Sequence, residues 1–334
     1  MITSGFIDTH IHGCFGEDTS DASPEGIVKM ARELRKIGVS AFTPTTMTIP
    51  FDQIERCFEA VSKAKEILAG SHEPYARILG IHLEGPFLNP TRAGVQAESA
   101  CVAPADGIRF TEALESNYPG LLKIIDIAPE LKGGMEYIEH FKDKYVLSLA
   151  HTDADYVTAC RAFESGAKSV THLLNAMNGC DKRAPGILGA VFDNPDVYTE
   201  IICDGIHIEP TVLRMLFTIL RDDRTIIVSD AMRGAGMPDG EYLLGPAKVQ
   251  KRDGRTYFGP QGGLAGSVTT VPEMAVRLDS FGINSEAILI SSSRNALERL
   301  SLDFDAVSGC SVRLARNLSV EDVYEDGKSM VKML

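Results

Sequence analysis

Gly5-Phe-Ile-Asp-Thr-His-Ile-His12 is a short apolar run that ends in two histidines one residue apart. Three further runs end in the same manner: Ile78-Leu-Gly-Ile-His-Leu-Glu84, Tyr145-Val-Leu-Ser-Leu-Ala-His151 and Ser169-Val-Thr-His172. Two more close on acids, Ile201-Ile-Cys-Asp204 and Ile226-Ile-Val-Ser-Asp230. Strands of a buried parallel sheet read as nearly continuous apolar runs, and barrel active sites sit where such strands end. One histidine at a strand end is more often structural than a ligand. Here six of the eight, His10, His12, His82, His151, His172 and His207, fall at or beside such ends. That repetition, mixed with Glu and Asp, points to the ligand set of a hydrolytic metal site.

Outward from these runs the chain alternates strands with amphipathic segments. Pro24 opens a helix with Ile27, Val28, Ala31 and Leu34 at helical spacing, closed by Gly38. A strand is expected at Val39–Thr43, then a long helix from Phe51 to Leu68 with Ile54, Phe58, Val61 and Ile67 as its stripe. Strands at Ile78–Glu84, Leu122–Ile127, Tyr145–Ala150 and Ser169–His172 alternate with helices near Gly107–Leu114, Met135–Phe141 and Tyr156–Phe163. Tyr198–Cys203 and Thr225–Ser229 complete eight strands, with the helix Thr211–Leu220 between them. This is the pattern of a (β/α)8 TIM-like barrel. A doubly wound open sheet shows similar alternation but does not need strand-end ligands from all round the sheet.

Between Asp239 and Gly262 polar and apolar residues alternate about Asp253-Gly254, as in an inserted β-hairpin. Two helices, near Pro272–Phe281 and Ser285–Leu300, finish a barrel unit of residues 1–303. Residues 304–334 read as a short β segment with strands at Ser311–Leu314, Val323–Tyr324 and Ser329–Met333, and Asp326-Gly327 as a turn.

The 334 residues are 44% hydrophobic, enough for a sizeable core, and carry a formal charge of −13. That charge argues against a nucleic-acid partner, which needs clustered Lys and Arg. Any anionic substrate must then find a local cationic pocket. Seven scattered cysteines without a CxxC pair suggest reduced thiols. The absence of a signal-like segment or a membrane-length apolar run completes the expectation of a cytoplasmic protein without a membrane partner.

Two histidines one residue apart on a strand face the same side, so His10 and His12 can share an ion. With Glu84, His151, His172 and Asp230 at later strand ends, the arrangement resembles the amidohydrolase superfamily. Within it the chain resembles the N-acetylglucosamine-6-phosphate deacetylases over nearly its whole length. The resemblance rests on His82-Leu-Glu-Gly-Pro-Phe-Leu-Asn-Pro90, Ala150-His-Thr-Asp-Ala-Asp-Tyr156, Thr171-His-Leu-Leu-Asn-Ala-Met177, Asp204-Gly-Ile-His207, Val228-Ser-Asp-Ala-Met232 and Gly263-Leu-Ala-Gly-Ser267. Many amidohydrolases bridge two ions with a carboxylated lysine. Here no Lys ends a strand at the matching place and Glu84 supplies the carboxylate, which favours the deacetylases over dihydroorotase-like or hydantoinase-like relatives.

The resemblance implies that Glu84, His151 and His172 bind a divalent ion, zinc or iron, and that Asp230 is the general base. The residues alone leave open that Asp230 is a helix N-cap. His10 and His12 either hold a second ion, with Glu84 or Asp230 bridging, or only support Asp230 through hydrogen bonds. By resemblance Asn175 and the Ala176 backbone meet a sugar phosphate, Arg183, Asp204 and His207 belong to the phosphate and sugar positions, and Leu264, Ala265 and Gly266 close over the acetyl group and ring. Arg183 by itself, in Asp181-Lys-Arg183, reads as a solvated charge cluster; His72 and His140 read as surface residues. The implied partners are a phosphorylated N-acetylhexosamine and a second copy of the chain in a homodimer.

The chain departs from the family at two places. The loop after Pro90 reads Ala93-Gly-Val-Gln96 where relatives end it in a histidine near the scissile carbonyl, so Val95 and Gln96 occupy that substrate position with a neutral side chain. The strands that relatives carry before the barrel are missing, so their small β-sandwich must be reduced or rebuilt from the tail. Three functions stay open at this point: deacetylation of the glucosamine compound, deacetylation of its galactosamine epimer or another acylated amine, and sugar-phosphate binding without catalysis.

Overall fold

The computed structural model describes residues 1–259 and 262–330. Eight parallel strands, Phe6–Ile11, Val39–Thr46, Ile81–Leu83, Leu122–Ile127, Val146–Leu149, Ser169–Val170, Tyr198–Ile202 and Thr225–Val228, pair each with the next in chain order. Every residue of these strands except half-buried Lys123 and Tyr198 is buried, which is why each reads as an apolar run. Register keeps the strand ends level: Thr45, His82 and Ile124 lie side by side across the second, third and fourth strands.

The eighth strand returns to the first. The Asp230 N–H donates to the His10 carbonyl at 2.9 Å, and Ile11 bridges Ala231 in parallel. The Ser229 N–H also donates to the Asp8 carboxylate at 3.2 Å. Burial pushes Asp8 up to about 6 even against the hydrogen bonds it accepts from Ser229 and His10. This seam makes a closed (β/α)8 barrel of what could have been an open sheet.

The helices follow their capping chemistry. Ser23 caps Pro24–Lys36 by accepting from the Gly26 N–H, and the expected stripe Ile27, Val28, Ala31 and Leu34 is buried. In Phe51–Ala69 the stripe ends differently from expectation. Ile67 is 44% exposed, and Ala64 and Leu68 continue the buried face, because Leu68 rather than Ile67 lies seven residues from Val61. The sequence reading missed the helix Gly186–Asp193, whose two glycines depress helical propensity although Ile187, Ala190 and Val191 pack inward.

The expected hairpin is a larger element. Gly240–Leu244, Ala247–Arg252, Arg255–Phe258 and Gly263–Leu264 form a four-stranded antiparallel sheet, with Asp253-Gly254 at the expected turn. The final helical stretch runs through Ser285–Leu289 and Asn295–Arg299 with a π-helical turn, Ile290–Arg294, between them.

The small β-sheet is not built from the tail alone. Ile2–Thr3 pairs antiparallel with Cys310–Leu314, followed by Val320–Glu325 and Lys328–Ser329. Of the strand expected at Ser329–Met333, residues 331–333 lie outside the described residues. Fully buried Arg35 on the first helix ties this sheet to the barrel, donating to Glu325 at 3.0 Å and to the Tyr324 carbonyl. Replacing Arg35 by Met should therefore lower unfolding stability by roughly 1.5–3 kcal/mol, since the Tyr324 carbonyl loses its charged donor and half-buried Glu325 keeps only Arg77, at 3.3 Å, as its cation. Urea unfolding checks it; a loss below about 0.5 kcal/mol, the scale of an ordinary surface change, would make the contact incidental.

Candidate metal centre and active site

His10 and His12 stand at the mouth end of the first strand, Glu84 just after the third, His151 after the fifth, His172 after the sixth and Asp230 after the eighth. Three of them leave their strands through left-handed backbone: φ is 41° at His151, 30° at His172 and 46° at Asp230. Such values are uncommon outside glycine and cost energy that packing must hold. Each turn swings a side chain from the strand line into the barrel mouth.

The result is one buried cluster. Glu84 Oε1 lies 3.2 Å from His151 Nε2 and 3.0 Å from His172 Nε2, and these two nitrogens are 3.2 Å apart. Glu84 Oε2 lies 3.0 Å from His12 Nε2, which is 3.3 Å from Asp230 Oδ1. His10 Nε2 is 3.5 Å from both Glu84 Oε1 and Asp230 Oδ1. The donor atoms thus fall into two metal-competent groups, Glu84/His151/His172 and His10/His12/Asp230. A third, His10 with His82 and Asp126, lies deeper, and neither His82 nor Asp126 reaches the cavity.

The protonation chemistry fits a cation. His151 Nδ1 is 2.8 Å from the Arg92 carbonyl oxygen, which can only accept, so Nδ1 carries the hydrogen and Nε2 its lone pair. By the same logic the Thr45 carbonyl at 3.3 Å leaves the Nε2 lone pair of His12 free. Lone pairs then face buried carboxylate oxygens at 3.0–3.3 Å, which is repulsive unless something positive lies between them. Ligands about 2.0–2.2 Å from a tetrahedral ion stand about 3.3–3.6 Å from one another, close to the separations seen.

Without an ion, protons take its place. Burial alone would push His12 down, but the carboxylates of Glu84 and Asp230 outweigh it and lift it to about 10. The same balance raises His10, and Glu84 raises His151. Burial would lift Glu84 and Asp230, yet the facing imidazoles hold Glu84 well below the carboxylate range and lower Asp230.

A cavity of about 220 Å³ opens over the cluster. His12, Glu84, His151, His172 and Asp230 form its floor, and Val95, Gln96, Asn175, Ala176, His207, Leu264, Ala265 and Gly266 are among its walls. A larger hollow of about 640 Å³ lies beside the first helix, but no histidine lines it. Asp204 stands behind the wall. It accepts from the Ile206 and His207 N–H groups and holds His207 Nδ1 at 2.8 Å. Arg183 does not line the cavity; it is exposed on the turn Asp181–Ala184. The helix-cap alternative for Asp230 falls, because no helix starts there: the chain continues through turns to the strand Gly240–Leu244.

Gln96 spends both ends of its amide on protein. Its Nε2 donates to Glu84 Oε2, and its Oε1 accepts from the Thr48 N–H at 2.7 Å. The sequence reading gave it to the substrate; it lines the cavity, and its contacts also fix the carboxylate of Glu84. The reading missed Glu200, whose Oε2 lies 3.2 Å from His10 Nδ1. A charged residue inside the run Tyr198-Thr-Glu-Ile-Ile202 was the available signal. His72 and His140 are exposed, as expected. All seven cysteines are free, and no described helix is long and apolar enough to cross a membrane.

Residues 1–239 match the Amidohydrolase family. The chain is 36% identical over 306 residues to the N-acetylglucosamine-6-phosphate deacetylase of Bacillus subtilis (strain 168), covering 90% of this chain and 76% of that protein. It is 31% identical over 311 residues to the N-acetylgalactosamine-6-phosphate deacetylase of Escherichia coli O157:H7, covering 91% and 79%. A solved structure of N-acetyl-D-glucosamine-6-phosphate deacetylase from Mycobacterium smegmatis, in complex with N-acetyl-D-glucosamine-6-phosphate, matches with a TM-score of 0.88 at 27% identity, covering 98% of this chain and 86% of that one. The Thermotoga maritima deacetylase matches with the same TM-score at 26% identity, covering 98% and 88%. The chain belongs to the amidohydrolase family. Within that family it belongs with the N-acetylglucosamine-6-phosphate deacetylases.

A proton and an ion compete for the same nitrogens here. With its pKa lifted to about 10, His12 is protonated at pH 7 in the ion-free protein. Binding of a divalent ion must therefore expel protons, and affinity must rise with pH, by up to about tenfold per pH unit for each proton released. Calorimetry in buffers of different ionisation enthalpy at pH 7 measures this directly. Zero proton release would place the ion elsewhere.

Proposed function

We propose that this chain hydrolyses the N-acetyl group of N-acetylglucosamine 6-phosphate to glucosamine 6-phosphate and acetate, as a cytoplasmic homodimer dependent on zinc or iron. The observation that carries this reading is the Asp230 carboxylate in the cavity floor, 3.3 Å from His12 and beside the Glu84/His151/His172 group.

In this proposal Glu84, His151 and His172 hold one ion, and His10, His12 and Asp230 are placed to hold a second. A divalent ion in this site supplies Lewis acidity, lowering the pKa of a water and polarising the amide carbonyl. Asp230 accepts the proton of the attacking water and returns it to the nitrogen as the C–N bond breaks, so one water is consumed and no net charge is created within the site. In the ion-free protein the imidazoles of His12 and His10 oppose the effect of burial and lower that carboxylate; a bound cation would favour its ionised form in the same way. Gln96 keeps the Glu84 carboxylate turned toward the histidines. Asn175, the Ala176 backbone and His207 take the sugar phosphate, Arg183 on the exposed turn Asp181–Ala184 is assigned to the phosphate as well, and Leu264, Ala265 and Gly266 cover the acetyl side. Asp204 orients His207.

Deacetylation of the galactosamine epimer is the second reading, favoured by the relative from Escherichia coli O157:H7 that carries that name. Acetate release from both hexosamine phosphates separates the two.

Asp230→Asn keeps the shape but cannot accept the proton, so kcat should fall about 10²–10⁴-fold while substrate still binds and the ion at Glu84/His151/His172 stays. Near-normal turnover at full metal content would overturn the assignment. Arg183→Ala should raise KM for the phosphorylated sugar about ten- to a hundredfold, the worth of a charge-assisted contact, and narrow its advantage over the unphosphorylated one. An unchanged ratio between the two sugars would remove Arg183 from phosphate recognition.

A further inference from the structure

Glu200 sits on the seventh strand with no solvent exposure, inside the barrel rather than at its mouth. A carboxylate there is expensive unless paired. Arg299, equally buried within the core and carried by the helical turn after the π segment, donates to Glu200 Oε1 at 2.6 Å. It also donates to the hydroxyls of Thr9 at 2.6 Å and Ser169 at 3.1 Å. The pair has a neutral total, and the second carboxylate oxygen remains for a donor. That donor is His10: Glu200 Oε2 lies 3.2 Å from its Nδ1.

A carboxylate locked to a guanidinium can only accept. His10 Nδ1 must therefore carry the hydrogen, and Nε2, which meets no hydrogen-bond partner, keeps its lone pair toward Asp230 and Glu84. The other cluster histidines are oriented less strongly. His12 and His151 donate to neutral backbone carbonyls, and His172 Nδ1 has no partner. Only His10 is backed by a charged acceptor, the arrangement that fixes a tautomer and raises ligand basicity in metal sites.

We infer that Glu200, held by Arg299, is a positioning residue that prepares His10 as an ion donor and so selectively strengthens the His10/His12/Asp230 site over the Glu84/His151/His172 site. The inference rests on the reading that His10, His12 and Asp230 take an ion. Glu200 touches neither the ion nor the substrate; it acts through the imidazole. In Glu200→Gln the amide either turns its NH2 to His10, reversing the tautomer and blocking Nε2, or turns it to Arg299, leaving a repulsive buried contact.

The test is stepwise titration of the ion-free full-length protein with Co2+, followed by visible absorption and calorimetry, with Zn2+ equilibrium dialysis for stoichiometry. Wild type should take two ions. Glu200→Gln should weaken one step 10–100-fold, the range found for such outer partners, and leave the other within about twofold. The weakened step should be the one that His12→Ala abolishes, and the retained step the one that His172→Ala abolishes. Because a lone buried Arg299 could unfold the single variant, Glu200→Gln/Arg299→Met removes the carboxylate and the cation together. It should fold and keep the same selective loss. Recovery of both affinities in the double variant would mean that Glu200 serves only to neutralise Arg299, and would overturn the inference. So would equal weakening of both ions in folded protein, or no weakening. A wild type that binds one ion, lost with His172→Ala, would remove the second site and this inference with it, while leaving the proposed hydrolysis standing.

Discussion

Everything at the barrel mouth is arranged around the two oxygens of Glu84. One faces His151 and His172, the other faces His12, and both are buried. A carboxylate withdrawn from water and ringed by imidazole nitrogens is stable only with positive charge in its midst. The site therefore selects for cations before any question of substrate arises. Its surroundings serve that demand: backbone carbonyls of Arg92 and Thr45 point the histidine lone pairs inward, and Gln96 steers the carboxylate from the outside.

This concentration of acceptors depends on closure of the sheet. His10 and His12 are more than two hundred residues from Asp230, and they meet because the eighth strand hydrogen-bonds to the first. The left-handed backbone at His151, His172 and Asp230 adds strain at the points where the strands deliver these side chains. A rigid, closed barrel can carry such strain, whereas an open edge would relax it. The loop that ends at Ser267 is stitched to the same seam, its N–H donating to the Asp230 carbonyl at 2.7 Å, so the cavity wall and the proposed base move as one.

The core of the barrel is not simply apolar. Arg299, Glu200, Thr9 and Ser169 form a buried polar path that ends on the Nδ1 of His10. A polar path of this kind costs stability relative to a hydrocarbon filling. The path ends directly behind the candidate metal-binding group His10/His12/Asp230. The π-helical turn at Ile290–Arg294 immediately precedes the helix that presents Arg299, and such turns are frequent where a helix serves a site.

Much of this was legible in the chain itself. Apolar runs of strand length ending in His, Glu and Asp specify both a parallel sheet and the chemistry at its edge, because burial on two faces demands continuous hydrophobicity and only the strand ends are free to differ. The helix stripes followed from periodicity, except at Ile67, where Leu68 holds the buried phase, and at Gly186–Asp193, where glycines conceal a helix that packing enforces. What sequence could not assign were contacts set by direction rather than by type. The contacts of Gln96 with Glu84 and Thr48 are not visible in its sequence position, and Glu200, which the sequence reading missed, meets His10 from inside the barrel. Ile2–Thr3 is too short to signal a strand, and becomes one only because Cys310–Leu314 offers it an edge. Local composition determined the elements and the donor set, since burial and periodicity act along the chain. The partner of each polar atom was decided by tertiary structure, since hydrogen bonds and ion pairs depend on ångström distances between residues that the sequence keeps far apart.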